Sequence, residues 1–430
     1  MSGLTDHLNN PSLPQERSTP RLLALSFYYP PANNPRAVQV DRLIRHVHLP
    51  TSMVCAEYDE RNDRMDHMRK AKTHTLVEQC VRVPYYESRW RKLTQRFAHR
   101  FDPLLIDKRP DKFVNWKPAV VKAVDETVMS RAKKPDVLVT FGSPMSDHVI
   151  GLELKRRLNL PWIAHFSDPW VDNIFKNFNW LTKSINVALE RRVIETADRV
   201  IFTSAETLDL VMRKYSPALR SKSRVLPHSF EIRADLLTKE TSDSPVVRYV
   251  GDMYGQRTPE PLLRALRELL ARDPDLLNEV RFEFVGSTHD LKLNEMGLAD
   301  LPKGLVTFQS TVSYEESLAL MYSADGLLVI DAPAERSVFL PSKLIDYVGA
   351  AKPIFGITPP GTASRLITEL GGWISDPSNK DATRQALGSF IRFITHRKGS
   401  NAEWGDQAVR SRFDAHVVAR EFEEIVQDCF

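Results

Sequence analysis

The chain has 430 residues, 42% of them hydrophobic and 27% charged, with a formal net charge of +4 and 3 cysteines. That length exceeds a single ordinary core and implies two domains, and the composition excludes a disordered or fibrous chain. The small charge gives no argument for a nucleic-acid partner. Cys55, Cys80 and Cys429 are too scattered for a structural zinc site or a disulfide framework, which fits a reducing, cytoplasmic compartment.

Residues 1–20 are polar, lack a signal-peptide core and read as a disordered tail. No apolar run approaches the roughly 18 residues needed to cross a bilayer. Residues 22–27 (LLALSF) have strand length and break into YYPPANNPR. Helical spacing then resumes at Val38, Leu43, Ile44 and Val47. Asn33 and Asn34 tolerate left-handed turns. Arg36 at the loop exit either meets a ligand phosphate or is a solvated helix-start arginine.

Residues 59–72 are highly charged and suggest a surface element. Residues 85–117 interleave aromatics such as Tyr85, Trp90, Phe113 and Trp116 with arginines and lysines. The pattern fits a surface for nucleic acid or for anionic lipid headgroups, the latter on the inner face of the cytoplasmic membrane. It equally fits an amphipathic helix with its aromatics turned inward, the plainer reading.

Residues 136–141 (DVLVTF), 160–166 (LPWIAHF) and 199–203 (RVIFT) are further strand candidates separated by helical patterns, the longer at 178–196. Strands alternating with helices imply a parallel sheet, whose ligands bind at the strand carboxyl ends. Ser143, His165 and Asp168 follow such strands and are placed to meet a substrate, although buried or capping roles are common for the last two.

Residues 231–245 read as a linker between a first domain at 21–230 and a second at 246–400, with a terminal helix within 401–430. The second domain opens with VVRYV, then Gly251 and Arg257, and a helix striped by Leu262, Leu263, Leu266 and Leu270. Further strands are expected at 280–285, 305–308 and 326–330, and helices at 313–322, 341–350, 361–370, 380–396 and 406–428. The expected fold class is α/β, two Rossmann-like parallel-sheet domains facing across a cleft.

In residues 337–353 (SVFLPSKLIDYVGAAKP), Pro341 and Ser342 open a helix whose first turn carries Lys343. A lysine there opposes the helix dipole, so it either completes an anion site with the free N–H groups or pairs with Asp346 three residues on. Gly251, Arg257, Ser342 and Lys343 together suit a diphosphate, with glycine allowing close backbone approach. Preorganised cations would stabilise a departing phosphate and stand in for a divalent metal. Asp273-Pro274-Asp275 reads as a turn rather than a manganese site, and His46 and His48 do not share a helical face. No metal or cofactor is expected.

These residues together resemble the retaining glycosyltransferases of family four, which have the GT-B fold. The resemblance spans about residues 21–396 and rests on YPPANNPR, PDKFVNWKPAV, LPWIAHFSDPW, YVGDMYGQRTPEPLLRAL and VFLPSKLIDYVGAAKPI. It implies transfer of a sugar, with retention, from a nucleotide-sugar donor held by the second domain to a glycan or lipid-linked acceptor held by the first. Arg257 stands where the family has a diphosphate lysine, and Asp346 at the second acid of its E-x7-E motif, near the donor. With Gly251, Ser342, Arg36 and Asn34 these are the expected donor contacts, Arg257 and Lys343 being catalytic; Ser143, His165 and Asp168 are the expected acceptor contacts. The resemblance also implies that the terminal helix returns to the first domain. Asp252 replaces a phosphate-binding arginine and Val338 replaces the first acid, so acidic contact with the sugar is reduced. A sugar-nucleotide epimerase of similar fold and a non-catalytic scaffold in a polysaccharide pathway are the alternative functions.

Overall fold

The computed structural model describes residues 19–32, 34–57, 77–85, 110–236, 244–253, 255–288, 291–398, 400 and 402–430. Nearly all of the expected tail, the charged stretch 59–72, residues 86–109 of the basic-aromatic stretch and residues 237–243 of the expected linker lie outside them.

The first half runs β1 (Leu22–Leu25), α1 (Pro35–His46), β2 (Thr51–Glu57), β3 (Val77–Pro84), α2 (Lys117–Ala123), β4 (Val137–Gly142), α3 (Ser146–Leu158) and β5 (Trp162–Phe166). It continues through α4 (Trp180–Thr196), β6 (Arg199–Phe202), α5 (Ala205–Met212), the single turn α6 (Pro217–Arg220) and β7 (Ser223–Val225). The second half runs β8 (Val246–Val250), α7 (Glu260–Arg272), β9 (Arg281–Val285), β10 (Val306–Gln309), α8 (Tyr314–Ser323), β11 (Gly326–Ile330) and α9 (Ser342–Ala350). It ends with β12 (Ile354–Ile357), α10 (Thr362–Glu369), β13 (Trp373–Ser375), α11 (Lys380–His396), α12 (Gln407–Ser411) and α13 (Ala415–Gln427).

The strands form two sheets, ordered β3-β2-β1-β4-β5-β6-β7 and β10-β9-β8-β11-β12-β13, and the pairings are parallel throughout. Every residue of β1, β4, β5, β8 and β11 is buried. Helices cover both faces of a parallel sheet, so its strands read as unbroken apolar runs. β3 is different. It closes an edge, alternates exposed with half-buried residues, and its sequence VEQCVRVP carries no apolar run to betray it. β2, β12 and β13 were likewise not anticipated. β2 mixes Thr51, Ser52 and Cys55 into its run, and the other two have only four and three residues.

In both sheets the strand order reverses direction beside the first strand, between β1 and β4 and between β8 and β11. Crevices open at such switch points, outside the strand carboxyl ends. Loops 26–34, 143–145 and 167–179 gather on that edge of the first sheet, and residues 251–259 and 331–341 on that of the second.

The expected helix at 406–428 is two helices, because Asp414 caps α13 and accepts a hydrogen bond from the His416 amide. Buried Phe413 sits at the break, where backbone bonds from Phe230 N to Phe413 O and from Ala415 N to Phe230 O stitch the chain to residue 230. From there Val418, Phe422 and Ile425 of α13 pack with Val40 and Leu43 of α1 under the first sheet. Within 85–117, the described aromatics Tyr85, Phe113 and Trp116 pack into the first core around Phe27.

Candidate functional site

The second switch point holds a cationic cluster. Lys343 lies in the first turn of α9, and its Nζ donates to the Tyr249 hydroxyl at 2.6 Å while standing 3.8 Å from the centre of that ring. Tyr249 belongs to β8, whose next turn is Gly251 at φ +134°. A Cβ on Gly251 would come within 2.8 Å of Lys343 Nζ, so the glycine leaves the ammonium its place. Arg257 donates to Asp331 at 3.1 Å, and Asp331, at the end of β11, also accepts from the Thr358 hydroxyl at 2.9 Å. Among the described residues Lys343 has no carboxylate within ion-pair reach, and the pairing with Asp346 is not made. Burial, and then repulsion from Arg257, hold the Lys343 amine well below its ordinary pKa.

Asp346 is engaged elsewhere. Its Oδ1 takes a 2.9 Å ion pair from Arg42 of α1 and a 3.3 Å bond from the Tyr314 hydroxyl. Arg42 also donates to the Ser229 carbonyl and to Tyr314. The acid expected beside the donor therefore joins the two halves of the chain. Val338 follows the same logic. Its carbonyl accepts from Ser204 at 2.9 Å, Thr207 at 2.8 Å and Thr362 at 3.0 Å, while Glu206 pairs with Arg365 at 2.9 Å. Asp252 accepts from Ser287 N at 2.7 Å and Thr311 at 3.1 Å and so ties its loop to the strand carboxyl ends nearby.

The first switch point gathers Arg36, His165, Ser143 and Asp168. Asn34 caps α1, accepting from Arg36 N at 2.8 Å. That places the Arg36 side chain inward, 6% exposed, with Nη2 3.0 Å from His165 Nδ1 and 3.2 Å from the His165 carbonyl. A guanidinium only donates, so His165 Nδ1 is an acceptor and the ring proton resides on Nε2. Burial first, and Arg36 second, keep the His165 pKa well below its ordinary value. Burial and the same arginine take His228 down to about 3. Burial lowers Arg36 itself to about 10. Arg36, His165, His228, Ser229, Phe141 and Val418 line a small hollow with room for about one water. Ser143 N lies 3.3 Å from the Ser167 hydroxyl, which donates to Asp168 at 2.9 Å.

The structure thus assembles two groups. Lys343, Ser342, Gly251 and Arg257 stand around one strand edge, and Arg36, Asn34, His165, Ser143 and Asp168 around the other. Asp346 belongs to neither group, being bound to Arg42. Sequence reasoning missed Tyr249, Asp331 and Arg42. Asp331 carried a signal, an acid directly after the apolar run GLLVI; Tyr249 and Arg42 look like ordinary strand and helix residues. Asp273 caps the end of α7 and pairs with Arg392 at 3.0 Å, and Asp275 accepts from Asn278 at 3.2 Å, as residues of a turn do. His46 pairs with Glu231 and His48 with Glu423. Among the described residues no three His, Cys, Asp or Glu side chains gather as metal ligands would.

Residues 39–227 match the family model of the glycosyl transferase 4-like domain. No curated protein sequence matches the chain. Among solved structures, Anabaena Alr3699/HepE in complex with UDP-glucose superposes with a TM-score of 0.63 at 15% identity, over 95% of this chain and 100% of that one. Sucrose-phosphate synthase (tll1590) from Thermosynechococcus elongatus gives 0.64 at 17%, over 95% and 98%. The lipopolysaccharide outer core galactosyltransferase WaaB, in its apo form, gives 0.57 at 14%, over 95% and 100%. Two Rossmann-like domains with a returning terminal helix make this a GT-B fold, within which residues 39–227 are similar to a glycosyl transferase 4-like domain.

Proposed function

We propose that the chain is a retaining glycosyltransferase that moves a sugar from a nucleotide-diphosphate donor to a glycan or lipid-linked acceptor in cell-surface polysaccharide synthesis. The observation that carries this reading is Lys343, held beside Gly251 at the second switch point against the Tyr249 hydroxyl, with no carboxylate within ion-pair reach among the described residues. A half-buried amine in that state gains most from an anion, which favours its protonated form. The GT-B relatives include a complex with UDP-glucose and a galactosyltransferase, which supports the same donor class.

In this account the diphosphate lies against Lys343, Arg257, Ser342 and the α9 amide groups. The bond from the sugar's anomeric carbon to the diphosphate breaks with its electron pair leaving on phosphate, where the two cations stabilise the charge without a divalent metal. The acceptor hydroxyl forms the new bond from the same face and its proton passes to the departing phosphate oxygen. Ser143, Asp168 and the His165 Nε2–H are assigned to the acceptor side of the cleft.

A panel of nucleotide sugars with membrane and glycan extracts tests the reading. Product of retained configuration should form with one donor, with chelator present. Lys343→Ala and Arg257→Ala should each lose tenfold or more in turnover, on the order of one lost charge stabiliser. Near-normal turnover in both variants would refute the site, and a donor isomerised without acceptor would refute transfer.

A further inference from the structure

Exposed apolar side chains of the described residues concentrate in one short region. Ile174 is 54% exposed, Phe175 56%, Trp180 73% and Val187 37%. Isolated exposed hydrophobics need no explanation, but a cluster marks a surface that something covers. Trp180, Lys183, Val187 and Arg191 recur at spacings of three and four along α4 and so share one outward line. Lys176 and Arg192 are exposed beside them, and no exposed acid lies in 174–192.

The opposite side of α4 is pinned. Asn186 accepts from the Trp170 indole at 2.8 Å. Glu190 accepts from Val171 N at 3.0 Å and from the Tyr215 hydroxyl at 2.9 Å, and pairs with Lys214 at 2.7 Å. Lys214 also holds Asp172 at 2.5 Å. The helix is thus fastened by its buried polar residues, and its outward face is presented by a fixed scaffold. The 174–179 loop reaches the other half of the chain, where Phe175 packs on Phe339 at 5.1 Å between ring centres.

We propose that residues 174–192 form a docking surface for an anionic lipid bilayer. Tryptophan, isoleucine and phenylalanine beside lysine and arginine are the combination that seats a helix in the headgroup layer, the rings entering the interface and the cations meeting lipid phosphate. The surface begins in the loop that follows the strand edge carrying His165 and Asp168, and continues along α4. The proposal goes beyond the transfer reading and needs no donor or turnover.

The test is sedimentation of the full chain with vesicles of phosphatidylglycerol and phosphatidylcholine, and with phosphatidylcholine alone, at low and high salt. Binding should require the anionic lipid and weaken with salt. The exposed-site double variant Ile174→Ser with Trp180→Ser should bind about tenfold or more weakly, with an unchanged melting temperature. Lys183→Gln with Arg191→Gln should flatten the salt dependence. Absence of wild-type binding to anionic vesicles would overturn the proposal. So would undiminished binding by the Ile174/Trp180 variant, which would place the contact elsewhere. Sedimentation velocity showing wild-type dimers that Trp180→Ser dissolves, without vesicle binding, would instead assign the face to self-association and overturn it too.

Discussion

At the scale of single residues the account rests on what a half-buried lysine and a buried histidine are allowed to do. The Lys343 amine is depressed by burial and by Arg257 in the free protein, and a bound diphosphate must raise it again. Donor binding should therefore take up a proton at pH values between the free-state and the bound-state pKa. Affinity should be greatest below the free-state pKa and fall as pH rises from it toward the bound-state pKa. Calorimetry in buffers of different ionisation heat checks this, and Lys343→Ala should abolish the uptake. His165 makes a separate prediction. Because Arg36 occupies Nδ1, nitrogen NMR should show a neutral Nε2–H ring near pH 6, and Arg36→Gln should move its titration upward toward the ordinary histidine range. A ring already protonated at pH 6 in the wild type would contradict the geometry.

At the scale of elements, the loops around α9 decide whether the cluster exists. Gly251 takes a backbone angle that other residues rarely adopt. Gly251→Ala should cost about 1–3 kcal/mol in stability and weaken donor binding further by displacing the lysine. Arg42 is a different kind of residue. Removing it leaves Asp346, 8% exposed, without its cation. Arg42→Met should destabilise the chain by about 3–5 kcal/mol in denaturant titration, the range for breaking a buried pair. The elements were largely legible in the sequence because parallel strands buried on both faces are continuous apolar runs, and α7 and α9 have strong stripes. The strap was not. Arg42 and Asp346 lie 304 positions apart, and nothing local distinguishes a charge that pairs across a cleft from one that faces water. Lys343 could be read because a cation in a first helical turn contradicts the local dipole. Tyr249 could not, since an aromatic in a strand is ordinary core.

At the scale of the whole molecule, contacts from both halves meet at Ser229, Val338 and Asp346, and α13 returns from the second half to pack beneath the first sheet. Among the described residues of the first half, three buried histidines stay neutral. His148 and His228 are lowered to about 3, and His165 is held well below its ordinary value, in each case chiefly by burial. The unfolded chain protonates these rings near pH 6.5, while the folded chain does not until much lower. Stability is therefore complete above that pH and is lost as pH falls through the window, by roughly 1.4 kcal/mol per pH unit for each ring. Denaturation at pH 7 and pH 5 should show the loss, and His228→Asn should reduce it.

The measurement that bears most directly on the central claim is a calorimetric titration of nucleosides, nucleoside diphosphates and nucleotide sugars into the wild type and Lys343→Ala. The account predicts that at least one diphosphate and its sugar conjugate bind, that the matching nucleoside binds far more weakly, and that the substitution costs about tenfold or more in affinity, as the loss of a charge-assisted contact should. Failure of every diphosphate to bind, or equal affinity in the variant, would contradict it.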